Sequence, residues 1–81
     1  MSSHQKLVRR LKAKPKDFRW TEMTRLLSQL GYEEFEGRGS RKCFRGKGLP
    51  QIRLHEPHPQ STMKHYAVKD VCKLLEEAGL I

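Results

Sequence analysis

The side chains best suited to chemistry in this sequence are two histidines and a run of cations. His55 and His58 flank Pro57 in LHEPHP, and imidazole is the side chain that exchanges a proton near neutral pH. Both are candidates for general acid or base, set against a plainer reading in which they cap or pack a turn locally. Upstream, EGRGSRKCFRGKG places Arg38, Arg41, Lys42, Arg45 and Lys47 among four glycines, with no acidic residue after Glu36. With Arg53 these cations suit a polyanion, since each Lys or Arg laid on a phosphate releases condensed counterions. Their bland alternative is a solvated charged face. Ser40, in the same turn, either donates its hydroxyl to a phosphate or bonds its own backbone, and the two readings weigh equally.

Other chemistries find little support. The His55/His58 pair offers a metal two ligands broken by Pro57, and no Cys or His cluster supplies the rest, so no metal and no cofactor are expected. Cys43 and Cys72 stand far apart within apolar patterns, as reduced core or near-core thiols. Glu33-Glu34 and Glu76-Glu77 are adjacent pairs whose carboxylates point different ways, which does not suit paired-carboxylate catalysis. The glycines lie between strands and not at the opening of a helix, so no nucleotide fingerprint is present. His65, at the start of the last helix, reads as an N-cap, and His4 is uninformative.

Charge is unevenly spread. The 81 residues carry 17 Lys+Arg against 9 Asp+Glu, a net charge of +8. Residues 1–19 hold seven basic and one acidic residue, and 37–53 hold six basic and none acidic. A chain this short closes one modest core and forms one domain. No apolar run is long enough for a signal-peptide core or a membrane span, so a cytoplasmic protein with no membrane contact is expected.

The elements that must position these residues follow from periodicity. Residues 1–17 read as a basic N-terminal extension, either a short helix over 5–11 interrupted before Pro15 or a disordered arm, ahead of a core at 18–81. Thr21 is a candidate N-cap for a helix with Met23, Leu26, Leu27 and Leu30 on one face, stopped by Gly31. Phe18 and Trp20 fold back onto that face, with a base-stacking surface as the weaker alternative. Strands at 32–36, 42–45 and 51–55 form an antiparallel meander through glycine turns at 37–39 and 46–48. A final helix at 66–78 carries Val68, Val71, Cys72 and Leu75 as its stripe and Gly79 as its stop. The expected fold class is α+β: an α-β-β-β-α sandwich, a three-stranded antiparallel sheet with helices on one face.

Particular residues sharpen this. The helix ending LLSQLGY, the turn GRGSRKCF, the strand IRLHEPHP and the closing helix VKDVCKLLEEAGL resemble, in order and spacing over residues 18–81, the HicA family of toxins from bacterial type II toxin–antitoxin systems. The resemblance implies a fold similar to the double-stranded-RNA-binding domain and an activity as a metal-independent, mRNA-cleaving endoribonuclease (an mRNA interferase). It also implies inhibition by a HicB antitoxin that covers the active surface. The sequence departs from the family at one position: the Gly-Ser of the turn is followed in much of the family by a histidine taken as catalytic, and here by Arg41.

Metal-free RNA cleavage needs a base near the 2′-hydroxyl, an acid for the leaving 5′-oxygen and positive charge at the phosphorane between them. Arg41 supplies charge through its forked donors, but a guanidinium stays protonated and does not serve as a base. The acid–base work then falls to His55 or His58, which the sheet edge would have to bring near the turn at 39–42. Three readings compete: a HicA-like ribonuclease, a non-cleaving RNA-binding module of the same fold, and a basic domain that receives an acidic protein.

Overall fold

A computed structural model describes residues 3–39, 41–57 and 61–81. Its elements run α1 (Ser3–Lys12), α2 (Trp20–Gln29), β1 (Glu33–Glu36), β2 (Arg41–Arg45), β3 (Ile52–His55) and α3 (His65–Glu77). The strands form one antiparallel sheet in the order β1-β2-β3, so the α+β order of helix, three strands and helix holds, with α1 ahead of it.

The sheet divides its side chains by parity, as pleated strands do. Phe44, Ile52 and Leu54 turn to one face and are buried there against Met23, Leu26 and Leu27 of α2 and Val68, Val71, Cys72 and Leu75 of α3. Trp20 tilts onto Phe44 with ring centroids 5.9 Å apart. Phe18 is fully buried and Trp20 nearly so, which places both in the core and removes them as stacking surfaces. The helix expected at 5–11 forms and extends over Ser3–Lys12, with Leu7 and Leu11 in the same core.

Two helix caps differ from expectation. The N-cap of α2 is Arg19 and not Thr21, because residues on either side of Arg19 pair with the strand-like segment ahead of α3. The Trp20 amide donates to the Ser61 carbonyl and the Met63 amide to that of Phe18, both at 2.8 Å. The extended chain through Arg19 therefore starts the helix two residues early, and the Glu22 carboxylate accepts a hydrogen bond from the Arg19 amide at 3.0 Å. Likewise Lys64 is the N-cap of α3. His65 is the first helical residue, and its ring lies 2.9 Å from the Lys14 carbonyl, fastening α3 to the segment after α1.

Glu22 also receives Arg10 of α1, Nε to Oε2 at 2.6 Å, and Arg10 reaches Asp17 at 3.2 Å. Burial pushes the Glu22 carboxyl up, but the bonds from Arg10 and the Arg19 amide outweigh it and hold the group below its ordinary value. A depressed carboxylate stabilises the fold above its unfolded pKa, and that contribution disappears as pH falls through the lower folded value. Thermal melts across the acidic range should show the wild type losing about 1 kcal/mol more than Glu22→Gln over that interval. Equal losses in the two proteins would show that the Arg10–Glu22 clasp contributes nothing.

The glycine turns are sterically required at two places. Gly39 takes a φ of +61°, in the left-handed region, within the turn closed by the Arg41 amide on the Arg38 carbonyl at 3.1 Å. At Gly46 a Cβ would stand 2.8 Å from the Gly31 carbonyl oxygen, so the β2–β3 turn packs directly on the end of α2.

Candidate nucleic-acid interface on the open sheet face

The strand parity that buries Phe44, Ile52 and Leu54 sends the alternate residues to the other face, where no helix covers them. That face carries Glu33 and Phe35 from β1, Arg41, Cys43 and Arg45 from β2, and Arg53 and His55 from β3. All of these but Glu33, with Gly37, Arg38, Gln51, Leu54 and the ion-paired Glu36 and Lys42, line a shallow depression of about 580 Å³, within the size range of ligand sites.

Register fixes who meets whom. Arg41 pairs directly with His55, and Cys43 lies between Phe35 on one side and Arg53 on the other. Directly opposed antiparallel residues hold their Cβ atoms about 5 Å apart, so the guanidinium of Arg41 and the imidazole of His55 can address one small group together. Both side chains are exposed. The turn from Gly37 to Arg41 is tightened by a 2.9 Å bond from the Gly37 amide to the Arg41 carbonyl, which brings Arg38 to the same end of the sheet. The sheet edge thus places one of the two candidate histidines beside the glycine turn. His58 and Ser40 lie outside the described residues.

Two of the expected cations are placed differently. Lys42 has the opposite parity and extends from the helix-side face, where its ammonium meets Glu36 at 3.0 Å, Glu56 at 3.7 Å and Glu34 at 3.8 Å. Its side chain is only 12% exposed, and the bond to Glu36, with the other carboxylates, raises its pKa. One lysine therefore ties the ends of all three strands together behind Arg41 and His55. Lys47 lies in the turn after β2, at the end of that strand opposite Arg41.

Cys43 takes the near-core of the two placements expected for it. It is half-buried on the open face, where the Gln51 amide nitrogen lies 2.9 Å from its sulfur. Cys72 is the buried thiol, and burial pushes its pKa up.

One functional candidate was missed from sequence. Phe35 is a large apolar side chain left 45% exposed, and the Arg45 guanidinium lies over its ring at 5.7 Å from the centroid. Alternation within the strand could have found it, since Phe35 is three residues from buried Tyr32 and stands across from Cys43. Among the described residues no three His, Cys, Asp or Glu side chains converge as a metal site would need, and no helix is long and apolar enough to cross a membrane.

Searches of curated proteins and of solved structures return no match. The family model described as "HicA toxin of bacterial toxin-antitoxin" matches residues 20–80, from the first residue of α2 past the end of α3. With the whole open face inside that match, the chain belongs to the HicA toxin family, the toxins of bacterial toxin–antitoxin systems.

Proposed function

We propose that this toxin is an endoribonuclease that cleaves mRNA without a metal on the open face of its sheet, and that a HicB-like antitoxin silences it by covering that face. The pairing of Arg41 with His55 carries this reading, because it joins a forked positive charge to an imidazole, a side chain that can both take and give a proton. In the proposed reaction His55 takes the proton from a ribose 2′-hydroxyl, whose oxygen attacks the adjacent phosphorus. The bond from phosphorus to the 5′-oxygen breaks, leaving a 2′,3′-cyclic phosphate and a 5′-hydroxyl. Arg41 stabilises the charge on the phosphorane, and the 5′-oxygen takes its proton from His58 or from water. Arg38, Arg45 and Arg53 hold the flanking phosphates, Ser40 and Lys47 add contacts where the chain reaches them, and Lys42, held by three carboxylates, supports the strands behind the site.

The arginine at position 41 favours a second reading, an RNA-binding module of the same fold that no longer cuts. Both readings require Arg41 on a phosphate. Arg41→Glu should weaken binding of single-stranded RNA about 10-fold or more and flatten the slope of log affinity against log salt by about 0.7. An unchanged affinity and slope would remove Arg41 from the interface. The readings separate in cells: the ribonuclease arrests growth with fragmented transcripts when overexpressed without its antitoxin, whereas intact transcripts would favour the binding module.

A further inference from the structure

The open face holds an apolar ring where a purely electrostatic surface would need none. Phe35 stands on β1 among Arg38, Arg41, Arg45 and Arg53, and nearly half of its surface remains in solvent. The Arg45 guanidinium sits over the ring, so a planar cation and an aromatic plane are already associated before any ligand arrives. From the Phe35–Cys43–Arg53 row to the Arg41–His55 pair is two residues along the strand, about 7 Å.

We propose that Phe35 is a stacking platform for one unpaired nucleobase, with Arg45 as its planar companion, and that the face therefore selects single-stranded RNA. This rests on the RNA-binding reading above and adds the substrate form and the residue that chooses it. Three observations support it. An aromatic face accepts any base, because every base has a π-face, whereas a base within a duplex is stacked on its neighbours and has none to offer. The surrounding arginines supply the phosphate contacts that stacking alone lacks. The position beside Arg41 and His55 puts the stacked base next to the phosphate those two residues address, so that unstacking there frees the adjoining 2′-hydroxyl for in-line attack.

The test measures affinity of the full-length chain for a fluorescently labelled single-stranded oligoribonucleotide and for the same sequence as a duplex, at one salt concentration. Phe35→Ala should weaken single-strand binding by about 5- to 150-fold, Phe35→Leu should behave like Phe35→Ala, and Phe35→Trp should bind within about 3-fold of wild type. Duplex affinity should change less than 2-fold in all three. Phe35 is exposed, so the variants should keep the wild-type melting temperature, which circular dichroism checks. Single-strand affinity unchanged in Phe35→Ala would overturn the stacking role, and so would Phe35→Leu binding as well as wild type, since Leu keeps apolar area without a ring. Loss of antitoxin capture with unchanged RNA affinity would also overturn it, assigning the ring to the protein partner. No RNA binding by wild type at all would instead bring down the RNA reading on which the inference stands.

Discussion

Replacing His55 with alanine is expected to lower cleavage of single-stranded RNA by about 10²- to 10⁴-fold while RNA affinity stays within a few-fold of wild type. The size follows from the role. In the proposed reaction a positioned base contributes in the transition state, whereas arginines that held RNA would do so in the ground state and in the transition state alike. His55 is exposed at the end of β3 and pairs with Arg41, so its removal leaves no cavity and should not disturb folding. His55→Gln keeps much of the shape and a polar tip but cannot take up a proton as a base, and it should be as inactive as His55→Ala. Full cleavage by both variants would move the base elsewhere and leave the Arg41–His55 pair as a phosphate contact.

The second large effect is on stability. Leu11→Ala should lower the melting temperature by roughly 10 to 30 °C. Leu11 is completely buried, and deleting a buried leucine side chain costs about 2–5 kcal/mol from a total that in small domains is about 5–15 kcal/mol. Each kcal/mol corresponds to about 4–8 °C in a domain of this size. The outcome matters because α1 lies outside the residues matched by the family, yet its Leu7 and Leu11 enter the same core as α2 and α3. Arg10 on Glu22 and His65 on the Lys14 carbonyl fasten that end of the chain to α2 and α3. A shift below about 3 °C would mean that the helix detaches without consequence, as a basic arm would. Exposed Lys6 on the same helix serves as the control, with Lys6→Ala expected to change stability by less than about 0.5 kcal/mol.

Much of the fold was legible because its elements announce themselves by period. The spacing of Met23, Leu26 and Leu27 and of Val68, Val71, Cys72 and Leu75 describes two helix faces, and all seven are buried. Gly31 and Gly79 both take positive φ at the ends of α2 and α3, as stop signals should. The caps were less legible, because Arg19 and Lys64 become N-caps through a bridge between segments more than 40 residues apart in sequence. No local motif records such a pairing.

The site was legible in composition and not in direction. Counting cations along Arg38 to Lys47 treats them as one surface, whereas strand parity splits them: Arg41 and Arg45 face outward, and Lys42, between them in parity with buried Phe44, faces the other way into three carboxylates. Glu34, Glu36 and Glu56 come from two other strands or their ends, so their convergence on Lys42 required the register. The same register turned His55 from a residue near a turn into the direct partner of Arg41. Phe35 was passed over because an aromatic in a strand is usually core; only the absence of a covering helix on that face exposes it.

The central claim is that the open face cuts RNA through its own side chains. The most direct measurement incubates the purified wild-type toxin, free of antitoxin, with a single-stranded transcript in excess chelator and reads the ends produced. The account predicts fragments with 2′,3′-cyclic phosphate and 5′-hydroxyl termini, formed at the same rate with chelator as without and lost in His55→Ala. An intact transcript, with RNA still bound to the protein, would contradict it and leave a toxin-family fold that holds RNA without cutting it.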